Sequence, residues 1–286
     1  MVENGKLSRN RFALVIANDE YEDESLSKLI APKFDAYALA EVLGDPGTCN
    51  FTVQLVLNKK SHIVNQYIEA FFEDRKRDDL LLLYFSGHGI KDEDGRLYFA
   101  TPNTKRKRLL STAVSASFVN DLMRKTRSRS QILLLDCCYS GAFAKGMISK
   151  SSSAIGTNKH FQGRGRVVLT ASDSMQYAFE EDKIVEIGTS NSIFTSAIVE
   201  GIRTWEADSN NDNRISVHEL YDYIEGYVQE RTPNQQPVMW SFNTKGEMII
   251  AEREYTPELD DEVIEMYEPI SPDPMRTRIK WKIWLN

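Results

Sequence analysis

Two apolar runs of this sequence end in residues able to do chemistry. LLLLYFSGHG at 80–89 delivers His88, and ILLLDCCYSG at 132–141 delivers Asp136, Cys137 and Cys138. A thiol and an imidazole are the raw materials of nucleophilic catalysis. Near neutral pH an ordinary cysteine is only a few per cent thiolate, so it needs a base or an electropositive setting before it can attack an acyl carbon. Side chains alternate faces along a strand, so Asp136 and Cys138 share one face and Cys137 takes the other. Cys137 is expected to pack as a small apolar group. Cys138, at the turn into Tyr139-Ser140-Gly141, is the candidate nucleophile. Of the histidines, His62 lies near a helix start, His160 in a loop and His218 early in a late helix. Only His88 tips a buried strand, which makes it the candidate base. The flanking Gly87 and Gly89 allow a sharp turn and a close approach to substrate. The backbone N–H groups of Gly89 and Cys138 are candidate donors to a developing oxyanion.

Each feature alone has a plainer reading. A lone strand histidine is often structural, a buried cysteine pair is often inert, and a Ser-Gly-His-Gly string could cradle a phosphate. The phosphate reading is weak because no helix opens behind IKDEDGR. Zinc fits poorly too, since neighbouring cysteines on opposite faces cannot both ligate one ion. A His and a Cys, each at the end of an apolar strand and each followed by glycine, together favour catalysis.

The elements that must position these groups follow from periodicity. RFALVIAN (11–18), FTVQLVLN (51–58), the two apolar runs and VVLTAS (167–172) read as strands. PKFDAYALAEVLG (32–44), SHIVNQYIEAFFEDRKR (61–77), SASFVNDLMRKTRS (115–128), NSIFTSAIVEGIRTW (191–205) and SVHELYDYIEGYVQE (216–230) read as helices. Alternating strands and helices predict an α/β domain with a mainly parallel sheet, whose reactive groups gather beyond the carboxyl ends of the strands. That domain is expected over 1–251. Residues 252–286 read as an acidic, proline-bearing linker with a strand-like tail, RTRIKWKIWLN. Residues 144–166 lack a period and read as an exposed loop. A net charge of −7 argues against general binding to nucleic acid or an acidic membrane. No apolar run is long enough to span a bilayer, and MVENGKLSRNRF has no signal-peptide core. Three cysteines suit a reducing compartment, so a cytoplasmic location is expected.

The stretches LLLLYFSGHGIKDEDGRLYFA, ILLLDCCYSGAF, VVLTASDSMQYAFE, SIFTSAIVEGI and PVMWSFNTKGEMIIA together resemble caspase-fold cysteine peptidases, of the metacaspase and bacterial caspase-like type, over roughly residues 9–251. The resemblance implies a caspase-like α/β/α sandwich, with His88 as general base and then acid, and an acyl-enzyme on Cys138. The Gln-Ala-Cys pattern of animal caspases is replaced here by Asp136-Cys137-Cys138-Tyr139. An acidic residue about two strand positions, or about 6.6 Å, from the nucleophile suits a substrate Arg or Lys. By position in metacaspases, Asp35, Ser86 and Asp136 would line that pocket for the residue before the cut. The family's cysteine three residues before that first aspartate is Pro32 here.

The resemblance thus implies an endopeptidase acting on protein or peptide substrates with a basic residue before the cut. It requires no cofactor, and a sensor or regulatory domain or a partner protein is expected to control it. Lys145, Lys150, Lys159, Arg164 and Arg166 are candidate self-cleavage sites, set against a loop that is never cut. A catalytically silent interaction module and a nucleotide-binding domain are the alternatives. One further stretch, DSNNDNRISVHE (208–219), has the spacing of a calcium loop, with Asp208, Asn210, Asp212, Arg214 through its carbonyl, and Glu219 as ligands. An Asx-rich turn without metal is the other reading.

Overall fold

All seven residues of Leu80–Ser86 are buried, as in a strand covered on both faces. They form β3 of a six-stranded sheet in the computed structural model, which describes residues 10–137, 165–171, 191–233, 235–244 and 246–253. Before β3 come β1 (Arg11–Ala17), α1 (Ala31–Gly44), β2 (Thr52–Leu57) and α2 (Ser61–Phe72). After it come the short strands β4 (Gly89–Lys91) and β5 (Leu97–Phe99), then α3 (Leu109–Thr112), β6 (Val114–Ser115), α4 (Ala116–Lys125) and β7 (Ser130–Asp136). The described chain resumes with β8 (Arg166–Thr170), α5 (Ile193–Arg203), β9 (Arg214–Ser216), α6 (Val217–Arg231), β10 (Val238–Phe242) and β11 (Ile249–Glu252).

The large sheet has the order β10-β8-β7-β3-β1-β2. All its pairs are parallel except β10 on β8. Alternate residues of β7 feed two cores. Ile132 and Leu134 pack with Leu39 of α1, Phe194 of α5 and Leu220 of α6. Leu133, Leu135 and Cys137 pack with Ile68 of α2 and Met123 of α4. This is the mainly parallel α/β domain expected from the strand-helix alternation, and the sandwich that the resemblance implied. Ser86 is the register partner of both Ala17 and Asp136, so β1, β3 and β7 end level. That shared rim collects the reactive groups.

Three departures have local causes. The helix expected to reach residue 77 ends at Phe72, because Asp74 adopts φ 52° and the Asp79 carboxylate accepts the Lys76 N–H at 2.7 Å, turning the chain into β3. β3 stops at Ser86 because Gly87 takes φ 146°, where an added Cβ would lie 2.9 Å from the Asn18 carbonyl oxygen. The small sheets β4-β5-β6 and β9-β11 escaped the sequence pattern, since strands of two to four residues carry almost no period. The chain divides into units Met1–Arg253 and Glu254–Asn286, and the second, with the expected strand-like tail, lies outside the described residues. No helix among the described residues is long and apolar enough to cross a membrane.

Candidate active site

Asp35 enters the site from the first turn and a half of α1, Ser86 from the end of β3 and Asp136 from the end of β7. All three point to the face of the sheet that α1 and α5 cover. Asp35 is fully buried. Its Oδ1 accepts the Ser192 N–H at 2.9 Å, its Oδ2 is buried without a hydrogen bond of good geometry, and the Ser192 and Asn191 side chains lie close enough to favour the ionised form. Asp136 accepts the Ser192 hydroxyl and, at 2.7 Å, the Thr195 hydroxyl. Behind them the buried Tyr84 hydroxyl sits 2.8 Å from Thr195 Oγ1. Ser192 is the N-cap of α5, so one helix start orients both carboxylates with donors that cannot themselves neutralise charge. Burial, followed by repulsion from Asp136, pushes the Asp35 carboxyl up to about 8. Burial also raises Asp136, against the hydroxyl bonds that favour its ionised form. Asp35, buried, and Asp136, half-buried, thus share one helix start, and one Asp35 oxygen makes no hydrogen bond of good geometry.

His88 follows two residues after Ser86. Its Nε2 lies 2.9 Å from the Ser27 carbonyl. A carbonyl can only accept, so Nε2 carries the proton and Nδ1 keeps a lone pair. The main-chain N–H of His88 donates to the Tyr21 hydroxyl at 3.1 Å, and the Tyr21 ring lies 4.9 Å from the imidazole. Tyr21 in turn donates to the Asn18 carbonyl. Burial lowers the imidazole pKa, the Ser27 bond opposes that, and the Arg106 charge lowers it further. The ring is therefore neutral at physiological pH. The Ala100 N–H donates to the His88 carbonyl at 2.9 Å. Bonded and non-bonded pairs alternate in an antiparallel ladder. Gly89, opposite Phe99, thus belongs to a non-bonded pair and has its N–H facing away from β5.

Cys137 is buried on the α2 and α4 face, as strand parity required. Cys138 lies outside the described residues, and so do Lys145, Lys150, Lys159 and Arg164. Arg166 is a correction. It opens β8 rather than lying in an exposed loop, is 3% exposed, and donates to Asn120 Oδ1 at 2.7 Å. A peptide bond inside a central strand is closed to any protease.

The stretch with calcium-loop spacing folds as a series of Asx turns. Asp208 accepts the N–H groups of Asp212 and Asn213, Asn210 that of Asp212, and Asp212 that of Arg214. Glu219 closes a capping box with Ser216 and accepts the Ser209 hydroxyl. Arg214 pairs with Glu252 across β9 and β11. Among the described residues no three His, Cys, Asp or Glu side chains are grouped to hold a metal. Asn213, at φ 64°, makes the bend of this Asx-rich turn.

Four contributors were missed in the sequence: Ser27, Tyr21, Ser192 and Thr195. Ser192 and Thr195 could have been found as the cap and third residue of the NSIFTSAIV helix. Ser27 acts through its carbonyl, which every residue has, so its type carries no signal.

A caspase-domain family model matches residues 10–247. Similar solved structures include caspase-1 from Spodoptera frugiperda, 14% identical with a TM-score of 0.57, covering 87% of this chain and 92% of that one. A protein from Geobacter sulfurreducens is also 14% identical, with a TM-score of 0.54 and coverage of 86% and 98%. No curated protein matches the chain. Likeness at such identity concerns the fold, and the family match adds kinship.

Proposed function

The chain belongs to the caspase-domain family, and from that premise we propose that it is a cysteine endopeptidase cutting after arginine or lysine, with His88 and Cys138 as the catalytic pair. The observation that supports the specificity is the pairing of buried Asp35 with half-buried Asp136, one Asp35 oxygen making no hydrogen bond of good geometry. An aspartate side chain entering this pocket would meet the Asp136 carboxylate as a like charge, whereas a guanidinium or ammonium would satisfy it and favour ionisation of Asp35.

In the proposed cycle the substrate cation enters the acidic pocket and places its carbonyl carbon at Cys138. His88 Nδ1 takes the thiol proton while Nε2–H stays on the Ser27 carbonyl. Sulfur attacks the carbonyl carbon, and the oxyanion faces the Gly89 and Cys138 N–H groups. The C–N bond breaks as the imidazolium protonates the leaving amine. His88 then removes a proton from water, which attacks the thioester and releases the acid and the thiol.

A fluorogenic peptide series differing only in its last residue tests this reading. Arg and Lys peptides are expected to be turned over at least tenfold better than Asp or Gln peptides, and Cys138→Ala to turn over none. Preference for Asp would end the proposal. Mass spectrometry of the same active preparation reports self-cleavage after Lys145, Lys150, Lys159 or Arg164; an intact chain removes that feature.

The pocket also predicts a pH dependence with a definite sign. Asp35 is pushed up to about 8 from its ordinary 3.8, so it holds a proton at neutral pH that a bound cation must expel. Inhibition by a simple guanidine such as agmatine is expected to tighten from pH 6.5 to about 8 and then level off, by at most about tenfold per pH unit. Stability runs the other way. A raised acid stabilises the fold below its unfolded pKa and loses that contribution as pH rises through about 8. Asp35→Asn should therefore flatten the decline of Tm between pH 6 and 8.5. A flat inhibition profile would show that Asp35 is not the proton holder.

A further inference from the structure

The end of the sheet opposite the reactive rim, where β3, β7 and β8 begin, gathers positive charge from three separate segments. The Arg129 N–H donates to the Arg77 carbonyl at 3.0 Å. Gly165, at φ 74°, lies so close to Arg129 that an added Cβ would overlap its carbonyl. Arg166 follows, bonded to Asn120, and Arg124 lies one turn further along α4. Lys125 and Arg127 continue this surface, exposed, as are Arg77 and Arg124. Among the described residues none of these cations is in an ion pair, on a protein whose net charge is −7.

A second observation falls at the same pole. Among the described residues, eight buried side-chain polar atoms have no hydrogen-bond partner, and four of them are Thr126 Oγ1, Gln131 Oε1 and Arg166 Nε and Nη2. Asp35 Oδ2 is another, at the cation pocket. An unpaired guanidinium held out of water is costly. Here the cost is aggravated by Arg124: burial first, then that neighbouring charge, lowers Arg166 to about 10. A negative charge arriving above it is weakly screened and offsets both effects.

We propose that this pole is a docking surface for an acidic polypeptide segment of a protein substrate, separate from the cleavage site. The chemistry favours polypeptide over nucleic acid. Asp78 and Asp121 interrupt the cations, which opposes a continuous phosphate backbone. The unmet atoms include both donors and an acceptor, and a peptide offers carboxylates and N–H groups together. β3 runs from this pole to the rim over six residue steps, about 20 Å. The acidic segment must therefore lie well away in sequence from the basic residue being cut. The role as a substrate anchor rests on the peptidase reading, but the surface itself does not.

Direct binding keeps the two apart. A fluorescein-labelled dodecapeptide alternating Glu and Gly is titrated by anisotropy against the full chain at 50 and 300 mM NaCl. A Gln-Gly peptide and a twelve-nucleotide single strand serve as comparisons. The Glu peptide is expected to bind at least tenfold tighter than either, more weakly at high salt, and at least tenfold more weakly to Lys125→Glu/Arg127→Glu. Arg166→Met provides a second variant. It should weaken the Glu peptide severalfold while raising Tm, because an unpaired buried cation gives way to an apolar chain of similar length. Equal binding of the Glu and Gln peptides, tighter binding of the oligonucleotide, or binding unchanged in both variants would overturn the proposal. Binding by a chain that cuts no peptide would leave the surface standing and remove the peptidase.

Discussion

His88→Ala should lower kcat/KM on an Arg-ending peptide by about 10³-fold, the middle of the range for loss of a positioned general base, and Cys138→Ala should abolish turnover. Three tethers hold the imidazole: the Ser27 carbonyl on Nε2, the Tyr21 hydroxyl on its main-chain N–H, and the Tyr21 ring. They fix the tautomer that leaves Nδ1 basic. Burial keeps the ring neutral at assay pH, so nearly every molecule is competent to take a proton. Removing the ring leaves the thiol at its own modest ionisation. Rate in the alanine variant should therefore rise steadily with pH above 7, as the thiolate fraction grows, where the parent protein is already level. A thiol-directed label offers an independent reading: Cys138 should react readily in the parent and slowly in His88→Ala. Equal labelling in both, with unaltered turnover, would remove His88 from the mechanism and favour a silent interaction module.

Asp136→Asn should lower kcat/KM for Arg and Lys peptides by about 10²-fold. Truncating one member of a buried charge pair costs about 2–5 kcal/mol, or about 30-fold to several thousand-fold. The lower part of that range applies because Asp35, freed of its neighbour's repulsion, ionises more readily and replaces some of the lost charge. The amide retains an acceptor for the Ser192 and Thr195 hydroxyls, so folding should be spared. Asp35→Asn should behave differently. Near pH 6.5 the aspartate is already protonated and the amide resembles it, so the loss is small. The loss should then grow toward pH 8.5. A double variant should lose the preference for basic residues altogether. Identical pH profiles for the two single variants would contradict the unequal sharing of charge argued from the geometry.

Much of this site was legible before any coordinates. LLLLYFSGHG and ILLLDCC read as buried strands because each is a short continuous apolar run closed by polar and turn-forming residues, too short for a buried helix. Parity along such a strand assigned Cys137 to a core, where it is found. The resemblance supplied Asp35 and Ser86, which converge with Asp136 on one face, although no local pattern links residues so far apart. The helix boundary at Phe72 was missed because it depends on Asp74 adopting a positive φ and on a carboxylate seven residues from the helix end. Arg166 was misplaced because the run Gly163-Arg164-Gly165-Arg166 reads as loop, and only pairing with Gln131 and Phe242 shows that it begins a strand. Asp and Asn at alternate positions suit an ion and an Asx turn equally, so the sequence kept both readings open, and the structure shows the turn's backbone bonds.

The amino-acid order by itself determined the strand-helix alternation, the candidate nucleophile and base, and the sign of the charge beside them, because these rest on residue type and short-range period. Tertiary structure alone decided that α5 begins at both carboxylates, that a backbone carbonyl from Ser27 fixes the imidazole, and that separate basic loops meet at the far pole. Those outcomes depend on atoms every residue possesses and on contacts between distant segments, for which a linear sequence has no local mark.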